Sequence, residues 1–199
     1  MKEKVDKVIY RSEDLSLPVS GKPSEYPVTA MLGKTMSAGD EIESVLLVKK
    51  DSTGFYRKNI TDFIEEMTSV CKEAGAEVSF KIVESDFSEK RSEHERLMYE
   101  IVNQISDGAH IIADITYGPK DLPIVLFSAL EFAEKFMKCE IDNIVYGQAE
   151  FENGTAVNTR ICDVAPLYYM NSVTKSIRCE DSAKAKQMLK TLLFIGDEK

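Results

Sequence analysis

The chain has 199 residues, 43% of them hydrophobic and 30% charged, with a net charge of −9. That length buries one good core, so a single domain over residues 1–199 is expected, and the acidic balance argues against a protein that tracks long DNA or RNA on a basic stripe. A short anionic ligand is still compatible, because one local pocket of Lys and helix N-termini suffices for it.

From the amino end, Val5 to Tyr10 reads as a first strand, followed by a polar, Pro- and Gly-rich loop over Arg11 to Pro27 of the kind that carries function. Val28 to Met36 reads as a short helix. Gly33-Lys34-Thr35 inside it is no P-loop, because the motif needs Gly five residues before Gly33 and Val28 stands there. Ser44 to Lys49 is a strand and Asp51 to Gly54 a loop. A helix then runs from about Asn59, with Ile60, Phe63, Ile64, Met67, Val70, Cys71 and Ala74 on one face and Gly75 as its stop. Val78 to Val83 alternates as a third strand, and Ser92 with Glu95 spells a capping box for a helix carrying Leu97, Met98, Ile101, Val102 and Ile105 as far as Gly108.

Ala109 to Ile115 is a nearly continuous apolar run, as expected of a central parallel strand covered on both faces. Tyr117-Gly118-Pro119 breaks it, Asp121 is placed to cap the next helix, and Pro123 is tolerated in the first turn. Leu122, Val125, Leu126, Ala129, Leu130, Ala133, Phe136 and Met137 repeat at helical spacing. Ile141 to Tyr146 is a fifth strand. Ala149 to Asn158 looks like a hairpin turning at Asn153-Gly154 and leading into Thr159 to Val164. Two helices finish the chain, the last capped by Asp181 or Ser182 with Ala185, Met188, Leu189 and Leu192 on its face. Strands alternating with helices imply an α/β fold with a doubly wound, mainly parallel sheet, its core over about 5–147 and a hairpin and helical part over about 148–199.

Cys71, Cys139, Cys162 and Cys179 form no C-x-x-C pair and read as reduced core thiols, and His94 and His110 have no partner at metal-ligand spacing, so no metal and no cofactor is expected. His94 reads as a solvated helix residue and His110 as one at the core edge. No apolar run reaches the roughly 18–20 residues of a membrane span, and Met1-Lys2-Glu3-Lys4 lacks the apolar segment of a signal peptide, so a cytoplasmic protein without membrane contact is expected.

The strand-to-helix turn at Thr116 to Asp121 is the candidate site. In an open α/β sheet ligands bind outside the carboxyl ends of strands, where helix N-termini present free N–H groups. Lys120 sits at that junction, and the N–H groups of Gly118 and Lys120 with the Lys120 ammonium can surround a phosphate. Tyr117 is placed either to stack on a base or to pack in the core. Ser12, at the end of the first strand, is placed opposite Lys120, Arg11 beside it is a further ligand-binding candidate, and Ser52 and Thr53 after the second strand are candidates of the same kind.

The run Asp114-Ile115-Thr116-Tyr117-Gly118-Pro119-Lys120-Asp121-Leu122-Pro123 resembles the D-I-T-H-G-F-R-x-L-P signature of CRISPR-associated Rossmann-fold (CARF) proteins. Ile144-Val145-Tyr146-Gly147 followed by Ile161-Cys162-Asp163-Val164 is similar to the family's Y-Y-G … I-x-D-L ending. The resemblance spans about Ser44 to Ser176. The family's His is Tyr117 here and its frequent Arg is Lys120, a Thr-x-Gly-x-Lys pattern that resembles the ring-nuclease branch. The resemblance implies a single Rossmann-like CARF domain that binds a cyclic oligoadenylate (tetra- or hexa-adenylate) across a homodimer, with Thr116, Tyr117, Gly118, Pro119, Lys120, Asp121 and Gly147 at the ligand. It leaves two activities open. One is metal-independent cleavage of the ring, with Lys120 and Ser12 as the catalytic pair; the other is sensing without cleavage. The family's HEPN ribonuclease domain is not expected, because no Arg precedes a His at the Arg-x4–6-His spacing; Arg91 lies only three positions before His94.

Overall fold

The protein is described by a computed structural model over residues 6–14, 17–50, 54, 56–153 and 155–193. In chain order its elements are α1 (Pro27–Thr35), β1 (Glu41–Lys49), α2 (Arg57–Ala74), β2 (Glu77–Ser85), α3 (Arg91–Gln104), β3 (His110–Asp114), α4 (Leu122–Phe136), β4 (Glu140–Glu152), β5 (Thr155–Asp163), α5 (Ala165–Ser176) and α6 (Ser182–Leu193). Among the described residues these form a mixed α/β structure of six helices and two sheets. Two compact units divide it, at Asp163/Val164; the hairpin expected to open the C-terminal part therefore belongs to the first unit.

In that unit β1 and β2 pair in parallel, from Glu41 against Glu77 to Lys49 against Ser85, with α2 as the connection. The helix stops where its sequence says it should. Gly75 adopts φ 77°, its N–H donates to the Lys72 carbonyl, and the Ala76 N–H donates back to that of Cys71, a Schellman closure. The second sheet has the order β3-β4-β5, with β3 and β4 parallel and β4 and β5 antiparallel.

The expected single doubly wound sheet is thus divided in two. Consecutive residues of β1 and of β3 line one cavity of about 1320 Å³, which runs along the edges where a ladder between those strands would lie. Phe63 and Met67 of α2 and Leu126 and Leu130 of α4 also line this space. Two apolar clusters flank the division. Tyr10, Tyr26, Met31, Met67, Val145 and Ile161 belong to one, and Val83, Leu97, Ile101, Leu122 and Ala129 to the other.

Three local expectations are corrected. The described part of Val5 to Tyr10 forms no strand; it makes one antiparallel bridge, Val8 to Ser24, and Arg11 makes a parallel bridge to Arg160 of β5. The Ser92–Glu95 capping box is not formed, because Lys90 is the residue preceding α3 and Glu95 pairs with Arg91 at 2.6 Å. Glu93 instead pairs with Arg96 and accepts from Ser85 Oγ at 2.7 Å and Asp86 N at 3.3 Å at the end of β2, and its carboxyl is held down to about 2. The Asp121 side chain does not cap α4. Asp181, in the second unit, does cap α6 as expected: its Oδ1 accepts from the N–H groups of Ala183 and Lys184 at 2.8 and 3.1 Å. Among the described residues no helix is long and apolar enough to cross a membrane.

Candidate functional site

The turn after β3 is tied to the fold at its base. Asp114 closes β3, its Oδ1 accepting from Thr116 N at 2.8 Å and its Oδ2 from Val28 N in the first turn of α1 at 3.3 Å. Burial pushes this carboxyl above the usual range, and the two N–H donors oppose that shift. Thr116 Oγ1 accepts from the Gly147 N–H at 2.8 Å, joining the end of β3 to β4. Gly147 is required by space. A Cβ there would lie 2.4 Å from Pro27 Cγ and 3.2 Å from the Thr116 side chain. The two segments of the family-like signature therefore meet in three dimensions, but Thr116 and Gly147 spend their polar groups on each other.

Beyond Thr116 the turn is exposed. Gly118 sits at φ 128°, and a Cβ on it would lie 2.8 Å from Leu122 Cδ2, so only glycine fits this turn without a shift. Leu122 N donates to Pro119 O at 3.1 Å, which closes the turn onto α4. Lys120 is exposed and, among the described residues, forms no ion pair. Asp114, Tyr117, Gly118 and Pro119 also line the large cavity, together with Lys49 and Tyr56 at the carboxyl end of β1. The inner side of the turn is thus cavity wall, while Lys120 stands off it.

Tyr117 takes the core alternative. Its ring meets Tyr26 edge-on at 6.0 Å between centroids, and its hydroxyl donates to the Glu25 carbonyl at 3.4 Å, as does that of Tyr10. Burial raises the Tyr117 phenol above its ordinary value and pushes Tyr10 up to about 12. A ring so held is not free to stack on a base.

Arg11 and Ser12 are held by other segments. Arg11 pairs its backbone with β5, donating to Thr159 O at 3.1 Å and accepting from Ile161 N at 2.8 Å. Ser12 Oγ is engaged by the backbone of Asp14. Ser52 and Thr53 lie outside the described residues.

Two histidines have partners that the sequence concealed. His94 Nε2, on α3, is 2.7 Å from Asp121 Oδ2, which is why that carboxylate does not cap α4. His110 is exposed at the amino end of β3, its Nδ1 3.1 Å from Asp142 Oδ1 and 3.9 Å from Glu140 Oε2 across the strand pair. Asp142 raises the His110 imidazole above its usual value. Neither contact has a spacing signal: the partners lie 27 and 32 positions apart and meet through helix and strand packing.

No family model matches the chain. It is 26% identical over 117 residues to a CRISPR-associated protein of Methanocaldococcus jannaschii, an alignment covering 50% of this chain and 18% of the relative. The chain spans less than a fifth of that relative's length.

Proposed function

We propose that the protein is a CARF-type protein with a Rossmann-like fold, acting in a type III CRISPR system, which binds a cyclic oligoadenylate at a homodimer interface and cleaves it. The observation that carries this reading is the turn at the carboxyl end of β3. Gly118 is held in a conformation that suits only glycine, Lys120 is exposed and unpaired among the described residues, and Tyr117, Gly118 and Pro119 of the turn line a large cavity that runs along β1 and β3. The signature-like runs at Asp114–Pro123 and Ile144–Gly147, and a CRISPR-associated relative over half the chain, support it from outside the geometry.

A cyclic ligand with rotational symmetry suits an isologous interface that offers each turn twice. Ile124 is 70% exposed and Phe136 63% exposed on α4, an apolar surface for a second copy to cover. In the reaction a ribose 2′-OH attacks the adjacent phosphorus in line. The 2′-O–P bond forms, the P–O5′ bond breaks, and the products carry a 2′,3′-cyclic phosphate and a 5′-hydroxyl. Gly118, Pro119 and Lys120 are the ligand contacts, Lys120 stabilising the charge that develops on the phosphate. Thr116, Tyr117 and Gly147 hold the turn in place. The engagement of the Ser12 hydroxyl by the Asp14 backbone favours, as the second reading, a sensor that binds the ring and relays binding to a partner.

The test is incubation of the purified protein with cyclic tetra- and hexa-adenylate in EDTA, followed by chromatography. Linear products are expected, and Lys120→Ala should slow single-turnover cleavage of bound ring by about 100-fold or more while weakening affinity less. A ring bound tightly yet intact after hours at enzyme excess leaves the sensor reading in its place. Failure to bind either ring refutes both.

A further inference from the structure

Attack by a 2′-OH requires that its proton be taken up, and an ordinary hydroxyl is a weak nucleophile until a base is aimed at it. The Ser12 hydroxyl is engaged by the Asp14 backbone. Next to Lys120, however, stands a base that no spacing rule detected. Asp121 directly follows Lys120, and its Oδ2 is 2.7 Å from His94 Nε2. A carboxylate only accepts, so the shared hydrogen sits on Nε2, and in the neutral imidazole Nδ1 is then the nitrogen that can take a proton. The pair is accessible: the His94 and Asp121 side chains are 33% and 35% exposed. It is also maintained at a cost. A carboxylate at the residue before a helix ordinarily caps the first-turn N–H groups, and Asp121 gives up that role to hold the ring.

We propose that His94, oriented by Asp121, is the general base of ring cleavage, with Lys120 beside it as the charge stabiliser. The inference rests on the nuclease reading above. In the step, His94 Nδ1 takes the 2′-OH proton as the 2′-O–P bond forms and P–O5′ breaks. The proton then passes to the leaving 5′ oxygen, so no metal, oxidant or further reactant enters. The Asp–His pair supplies basicity and orientation, and the Lys supplies charge, from two neighbouring positions on one turn and the helix packed against it.

The experiment measures single-turnover cleavage and equilibrium binding of cyclic tetra- and hexa-adenylate by the full chain and by His94→Ala, His94→Gln and Asp121→Asn. His94→Ala and His94→Gln should bind the ring within about threefold of wild type and cleave it about 100-fold more slowly or worse. Added imidazole should restore a large part of the His94→Ala rate, where the deletion leaves a hole, and none of the Asp121→Asn rate, where the ring is present but misaimed. Asp121→Asn should lose about tenfold or more in rate. If both His94 variants cleave at the wild-type rate, or lose rate and affinity equally with no rescue by imidazole, His94 is not the base and the nuclease reading stands without it. If the wild-type protein binds a ring and never cleaves it, the nuclease reading falls and this inference with it.

Discussion

Gly147→Ala separates a glycine that touches ligand from one that holds the fold. The Gly147 backbone is not in the left-handed region, so an alanine there meets no strain of its own. Without a steric obstacle the change would stabilise the protein by about 0.4–1 kcal/mol through the unfolded chain. The obstacle decides the sign. The new methyl would lie 2.4 Å from Pro27 Cγ, and Pro27 is a buried, rigid ring at the first turn of α1 rather than the loose end of a flexible side chain. Overpacking of this kind costs about 1–3 kcal/mol, and any shift that relieves it lengthens the Gly147 N–H to Thr116 Oγ1 bond, worth about 0.5–1.5 kcal/mol. The expected net loss is about 2–3 kcal/mol, a fall of roughly 4–12 °C in Tm for a chain of this size. Thermal and urea unfolding check it, and Pro27→Ala in the same chain should recover part of the loss, because the two side chains clash directly. A Gly147→Ala protein as stable as wild type or more so would refute the packing argument and return Gly147 to the ligand.

Two other perturbations test the frame around the turn. Glu66 of α2 accepts from the N–H groups of Glu25 and Tyr26 and from Thr29 Oγ1, so Glu66→Ala should cost about 2–4 kcal/mol in urea unfolding and Glu66→Gln distinctly less. His110 should titrate above 6.5 in an NMR pH series and return toward that value in Asp142→Asn. The folded value is the raised one, so what the pair contributes is present in full below 6.5 and lost as pH rises through the folded value. A His110 that titrates at the same pH in both proteins would remove Asp142 as the cause.

Where a segment's structure depends on its own residues, the sequence was readable. Gly75 stops α2, Asp181 caps α6, and the α2 face from Ile60 to Ala74 includes Met67 and Cys71, which are buried. Where structure depends on what a segment meets, it was not. Val5 to Tyr10 has strand composition, yet its described part makes one bridge, Val8 to Ser24, and it is Arg11 beyond it that bridges to β5. An aromatic just after a strand looks like a stacking platform. Nothing in the local pattern tells that Tyr10 and Tyr26, more than ninety positions away, gather with Tyr117 about the Glu25 backbone. Asp121 had the right residue type and position for a cap, and only the packing of α3 on α4 reveals the histidine that competes for it.

The turn after β3 therefore divides its labour by depth. Asp114 and Thr116 face inward, and each spends its side chain on a backbone N–H from a distant segment, Val28 for one and Gly147 for the other. Such bonds fix position but leave nothing to offer a ligand, and the raised Asp114 carboxyl shows that desolvation outweighs the hydrogen bonds that favour its charge. Gly118 and Lys120 lie outward and are exposed, and Asp121 is held sideways by His94. The signature-like run is thus two functions in one stretch: a buried anchor that sets where the turn stands, and an exposed end where chemistry can occur. Substitutions should sort by that depth. Those at Asp114, Thr116 or Gly147 should move stability and drag function with it, and those at Lys120 should move function with stability unchanged. A run whose two halves behaved alike would mean that the turn is structural throughout and that the ligand binds elsewhere.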